Sequence, residues 1–108
     1  MRSEVPTRRV LVADADEIVA FIASHILSRY DFAVVTATSA AVLARGCNGY
    51  VAVVVSAEIA SEVAGSLDAA RTILLGDGID GLKPFARLRK PLELDQLVAA
   101  VTACANRR

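Results

Sequence analysis

The sequence predicts an α/β fold, a doubly wound, five-stranded parallel sheet with helices on both faces. Three observations predict it. Apolar runs of strand length alternate with segments of helical periodicity along the chain. The runs are continuous rather than alternating, as in strands buried on both faces. Polar or glycine residues close several of the runs, and parallel sheets keep their functional crevice beyond the carboxyl ends of the strands. With 108 residues, 55% of them apolar, the chain has the size of one domain and enough hydrophobic material for a core.

Taken in order, Arg9 to Ala13 ("RVLVA") is the first strand. Asp16 is placed to cap a helix over Glu17 to Arg29, in which Ile18, Val19, Ile22, Ala23, Ile26 and Leu27 recur at helical spacing. Tyr30 and Asp31 turn the chain into a second strand, Phe32 to Ala37. Ser39 caps a short helix that runs to Arg45 and stops at Gly46. Tyr50 to Val55 is the third strand and the most β-branched segment. A weaker helix, Glu58 to Ala70, is interrupted near Gly65. Arg71 to Leu75 is the fourth strand, Arg87 to Lys90 a short fifth, and Leu92 to Cys104 the last helix, with Leu94, Leu97, Val98 and Val101 on one stripe. The expected domain is 9–105, with 1–8 a leader and 106–108 a tail. The strand order expected from the alternation and the strand-end placement is 2-1-3-4-5.

The link from Leu75 to Arg87 is too short for an ordinary crossover helix. It holds three glycines and Pro84. Glycine costs a helix about 1 kcal/mol and an interior proline about 3. The fourth helix, between the fourth and fifth strands, is therefore expected to be short or missing. Its loss is expected to uncover apolar sheet surface beside Leu74 and Leu88. Ile79, Leu82 and Phe85 are the apolar residues available there, either as interface anchors for a homodimer or partner protein or as a plug that folds back over the gap.

Composition excludes several classes. Lys+Arg and Asp+Glu both number 12, so no basic field exists to drive nucleic-acid binding. No apolar run is long enough to span a bilayer, and the first residues lack a signal-like apolar stretch. A cytoplasmic chain is expected, with Cys47 and Cys104 acting as small apolar residues rather than zinc ligands. "GDGIDG", residues 76–81, has the form of a dinucleotide-binding turn. That turn needs a helix directly after it, because the pyrophosphate rests on the helix's first amides. Here Lys83 and Pro84 follow instead. A small-molecule or nucleotide-binding α/β protein using this loop is the alternative reading.

"VLVADADEIV", "YVAVVVS" and "LRKPLELDQLVAAV", in that order, resemble the first strand, the acceptor strand and the final lysine–proline turn and helix of response-regulator receiver domains, the CheY-like family. The resemblance runs from Arg9 to Ala105. It implies a flavodoxin-like sheet and a place in a two-component phosphorelay. In that family a strand-three aspartate takes a phosphoryl group from a histidine kinase. Mg²⁺ is held by acidic residues after strand one and by the acceptor. A hydroxyl after strand four and a lysine after strand five bind the phosphoryl oxygens.

Carried across position by position, the resemblance keeps Asp14 as the first acidic residue and Lys90 as the lysine, followed by Pro91 at the family's cis-proline. The second acidic position is Ala15, the acceptor position is Ser56 and the hydroxyl position is Gly76. Asp16 is the one neighbouring carboxylate that could replace Ala15's missing one, but it is also the helix cap. An alcohol at the acceptor position needs a base to act as nucleophile, and His25, the single histidine, sits mid-helix. The expectations are therefore a pseudo-receiver that is not an enzyme, with no catalytic residues, no cofactor and a lost Mg²⁺ site. Its expected partner is a histidine kinase, a phosphotransfer protein or a second copy of itself. Asp14, Ser56 and Lys90 are expected to converge at one edge of the sheet.

Overall fold

The computed structural model describes residues 8–44, 49–79, 81–89 and 92–106. Five strands, β1 (Arg8–Ala13), β2 (Phe32–Ala37), β3 (Ala52–Ser56), β4 (Thr72–Leu75) and β5 (Ala86–Leu88), form one sheet in the order β2-β1-β3-β4-β5. Every pairing is parallel. The helices are α1 (Glu17–Ser28), α2 (Ala41–Ala44), α3 (Ala57–Val63) and α4 (Leu94–Ala105), with 3₁₀ turns at Ala64–Ser66 and Ala69–Arg71.

Strand alternation sorts the core into two layers. Val10, Val12, Ala52, Val54, Ile73 and Leu75 point to one face and pack with Ala20, Ala23 and Leu27 of α1 and Leu97, Val101 and Cys104 of α4. Leu11, Ala13, Val53, Val55 and Leu74 point to the other face and meet Leu43 of α2 and Ile59 and Ala60 of α3. The central strands β3 and β4 are buried along their whole length, which is why their sequences are unbroken apolar runs rather than alternating ones. Burying one such Leu or Val side chain contributes about 1.5–3 kcal/mol.

Local chemistry sets the element boundaries. Asp16 caps α1, its Oδ1 accepting from the amides of Ile18 at 2.9 Å and Val19 at 3.4 Å. The helix closes where the amides of Arg29 and Tyr30 reach back to the Ile26 and Leu27 carbonyls. Asp31, at φ +67, then turns the chain, a conformation that short polar side chains tolerate best after glycine. Ser39 accepts from the Ala41 amide at 3.4 Å and opens α2; the expected end of that helix, Arg45 and Gly46, lies outside the described residues.

Some expected element boundaries need correction. The helix expected over 58–70 stops at Val63 and breaks into the two 3₁₀ turns. Asp68 holds the second turn by accepting from the Ala70 amide at 3.0 Å, and the buried Thr72 hydroxyl donates to the Asp68 carbonyl at 2.8 Å. The fifth strand lies slightly earlier than 87–90. The link between β4 and β5 matches the expectation of a short or missing helix. None of its described residues is helical, as its glycines and Pro84 require. Of the two arrangements expected for its apolar residues, uncovered sheet or a plug folded back over it, the plug is the one seen, because Leu74 and Leu88 are both buried. Leu82 is buried in the α2–α3 layer with Ile79 packed against it, and Phe85 packs onto the α1–α4 layer. The link closes the gap with its own side chains.

Candidate functional site

The carboxyl ends of β1, β3 and β4 place the candidate residues side by side. Ala13 is in register with both Ala37 and Val55, so Asp14 stands level with Ser56. Ser56 pairs with Leu75, which sets Gly76 one residue further along the neighbouring strand end. Asp14, Ser56 and Gly76 therefore share one edge of the sheet. Lys90 and Pro91 lie outside the described residues. The chain reaches that edge at Leu88, which pairs with Leu75 and whose carbonyl accepts from the Gly76 amide at 2.8 Å.

Asp14 is almost fully buried. Its amide donates to the Ala37 carbonyl at 3.0 Å, and its Oδ1 accepts from the Asp16 amide at 2.9 Å. Those two bonds fix the carboxylate at the mouth between β2 and β3. Asp16 is exposed, and its Oδ1 caps α1. Ala15, exposed between them, has no polar side chain to offer.

Ser56 is buried too, and it has a structural task. Its extended backbone, φ −69 and ψ 151, makes it the N-cap of α3, and its Oγ accepts from the Ile59 amide at 3.4 Å. Strand three thus runs directly into α3 through a serine whose oxygen faces the helix's first turn. Serine is among the best N-cap residues, so the sequence's small polar residue at this strand end has a local reason to be there. His25 is exposed on α1, stacked on Phe21 with ring centroids 6.3 Å apart, and Ser56 lies in the buried core on β3.

These groups offer a hard cation little. Mg²⁺ takes oxygen ligands in near-octahedral geometry, with carboxylates among them. The edge supplies one buried carboxylate with an oxygen already bonded to an amide, a hydroxyl facing α3, and a capping carboxylate. Among the described residues no group of three His, Cys, Asp or Glu side chains comes together as a metal cluster.

Gly76 has φ +107, a conformation strained for any side chain, and a Cβ there would meet the Cβ of Ala57 at 3.7 Å. Backbone conformation, more than lack of space, calls for glycine at this position. Gly81 turns the chain again at φ +82. No helix directly follows it among the described residues, so the helix amides on which a phosphate-binding turn rests its ligand do not come straight after "GDGIDG". The link instead borders an open cleft of about 530 Å³ lined by Gly78, Ile79, Leu82, Lys83, Phe85 and Arg87, among others.

Sequence reasoning located the strand-end side chains. It missed the backbone groups that hold them, the Ala37 carbonyl and the Asp16 and Ile59 amides, because every residue carries such groups and no sequence signal marks these. Cys104 is buried, as its apolar reading requires, with its thiol 3.6 Å from the Val51 carbonyl. Cys47 lies outside the described residues. No described helix is long and apolar enough to cross a membrane.

No protein-family model and no curated relative matches this chain. Solved structures do. The non-phosphorylated HemR receiver domain from Leptospira biflexa superposes with a TM-score of 0.74 at 14% identity, covering 94% of this chain and 97% of that one. A response regulator receiver domain protein from Clostridium thermocellum gives 0.67 at 20% identity, over 92% and 94%. An adenylate cyclase from Rhodopirellula baltica gives 0.70 at 20%, over 93% and 88%. The chain is similar to these in fold, which is the CheY-like doubly wound sheet.

Proposed function

We propose that this chain is a receiver-like signalling module of a two-component system that acts by protein–protein contact and does not take a phosphoryl group by the usual aspartate route. The observation that carries the reading is the acceptor edge itself. A receiver-like sheet presents Asp14 level with the end of β3, where a carboxylate nucleophile would be expected, and the residue there is a buried serine serving as a helix cap. A hydroxyl nucleophile needs an adjacent base to remove its proton, and the histidine is exposed on α1. With Ala15 in place of a second acid, the charge needed to hold a divalent cation is missing.

On this reading Mg²⁺ has no role, and the partner is a protein such as a histidine kinase or a phosphotransfer protein. Support for a signalling role comes from neighbours titled as receiver domains over nearly their full length. A neighbour titled as an adenylate cyclase keeps a catalytic context open for proteins of this shape, but among the described residues no three His, Cys, Asp or Glu side chains come together as a metal site.

The test uses a small acyl-phosphate donor with millimolar Mg²⁺, read by intact mass and by amide NMR shifts around Asp14 and Ser56. No added phosphoryl group and no saturable Mg²⁺ response is expected. The Ala15→Asp/Ser56→Asp double variant is expected to bind Mg²⁺. Phosphorylation of the natural chain would overturn the reading.

A further inference from the structure

Helix α1 is apolar on both sides. Its inward face is Ala20, Ala23 and Leu27, all buried. Its outward face carries Ile18, Phe21 and Ile22, which are 69%, 69% and 42% exposed, followed by the exposed His25. The four stand at i, i+3, i+4 and i+7, a single stripe along the helix. A helix that is hydrophobic all round is normally covered on all sides. Among the described residues nothing covers the outer stripe. The rest of the α1–α4 layer contains no comparable run of large exposed apolar side chains among the described residues.

The charges flanking the stripe are arranged end to end. Glu17 and the capping Asp16 lie at its amino end, and Arg29 lies at its carboxyl end, all exposed. We infer that α1 is a homodimer contact, two copies packing their α1 helices antiparallel about a twofold axis near Phe21 and Ile22.

In that arrangement Phe21 and Ile22 of one copy meet the same residues of the other at the centre. Ile18 lies against His25 of the second copy. Glu17 comes within about a turn of Arg29 of the second copy, twice by symmetry, since the twofold axis makes the surface self-complementary. The two helix dipoles run in opposite directions, so each acidic amino end meets a basic carboxyl end. A parallel pairing would instead put Glu17 against Glu17 and Arg29 against Arg29. The charge pattern therefore selects the antiparallel form and a second copy as the occupant. One pair of 12-residue helices is a small contact, so a dissociation constant on the order of 1–100 μM is expected rather than an obligate dimer.

The test is sedimentation velocity on the full chain over a concentration series, with thermal unfolding recorded at the dilute end. A concentration-dependent dimer is expected. Phe21→Glu should weaken it about thirtyfold or more, because a central aromatic dominates a small contact. Ile18→Lys should act in the same direction. Both side chains are mostly exposed in the single chain, so neither should lower the unfolding temperature of the dilute protein. Glu17→Lys and Arg29→Glu should each weaken the dimer by roughly two- to tenfold, and the double charge swap should restore it. Three results would overturn the inference. These are a chain that stays monomeric across the series, a dimer indifferent to Phe21→Glu and Ile18→Lys, or a charge swap that restores nothing.

Discussion

The two faces of the sheet are built to different standards. On one, α1 and α4 contribute 12 residues each and lock Leu27, Leu97 and Val101 out of solvent. On the other, α2 has four described residues and α3 has seven, and the described residues of the link between β4 and β5 are loop. The strands beneath are equally buried on both sides at the centre of the sheet. The difference therefore lies in how the cover is made, by regular helix on one side and by short turns and inserted loop side chains on the other. At the sheet's edge Val35 of β2 is left exposed. The candidate site sits where the two constructions meet, between the cap of α1 and the cap of α3.

The comparison breaks most visibly if the helical layer is opened. Leu97→Ala removes a fully buried side chain from α4, wedged between the sheet and α1. A loss of about 3 kcal/mol is expected, the middle of the range for Leu→Ala in a core. A kcal/mol is worth roughly 4–8 °C of unfolding temperature in a chain of this size, so calorimetry should read a drop well above 10 °C in that conversion. A drop of only a few degrees would mean that the helical layer is no better packed than its opposite.

Leu82→Ala tests the loop-built cover. Leu82 is buried against the α2–α3 layer, but from a link without regular structure that can relax around a smaller side chain. A smaller loss is expected, about 2 kcal/mol, at the low end of the same range. Its oligomeric state should be unchanged, since a side chain that plugs the sheet is unavailable to a partner. Reduced association at unchanged stability would instead make the link an interface.

How much of this was legible in the sequence follows the same division. The continuous runs "VLVA" and "VVVS" announce buried parallel strands, and Asp16 announces the start of α1, because periodicity and capping are local. The order of the five strands was expected from the alternation together with the strand-end placement of Asp14, Ser56 and Lys90. What was hidden depended on tertiary competition. Ile18, Val19, Ile22 and Ala23 all fit a helical stripe, yet only the sheet decides which of them face inward, and it chose the small Ala20 and Ala23. The 3₁₀ turns after Val63 depend on Asp68 and Thr72 bonding to nearby backbone, a choice a helical pattern does not reveal. At the site, the strand-end positions of Asp14, Ser56 and Gly76 were readable. That Ser56 would spend its oxygen on the Ile59 amide was not, because the expected start of α3, Glu58, lies one residue beyond the observed start, Ala57.

Asp16→Ala compares the two caps. It removes two amide contacts from the start of the long helix, for which about 1 kcal/mol is expected. Ser56→Ala removes one longer contact from the start of a short helix in a buried setting. A loss of the same order, about 1 kcal/mol, is expected there. Urea melts of the two variants should give similar slopes and nearly equal midpoints. A much larger loss at Ser56 would show that its hydroxyl supports more than the helix start.

The smallest effect should come from Gly65, where the loop-built face can be improved. Gly65 lies in the first 3₁₀ turn, directly after α3, and is exposed. Its φ is outside the left-handed range that demands glycine, and a Cβ built there meets nothing within 4 Å. An alanine fits without strain, and it narrows the conformational freedom of the unfolded chain. Such substitutions stabilise by about 0.4–1 kcal/mol. Alanine is also the better helix former by about 1 kcal/mol, so Gly65→Ala should favour regular helix where α3 now breaks. The gain is limited because Asp68 and Thr72 still hold the following turn in place. An increase of about 0.5 kcal/mol is expected, with slightly stronger helical circular dichroism. The contrasting variant is Gly76→Ala, at φ +107, which should destabilise by about 1 kcal/mol or more. If Gly65→Ala destabilises as well, the break after Val63 is imposed by the packing of the α2–α3 layer and not by the glycine, and the short helices of that face are a property of its core.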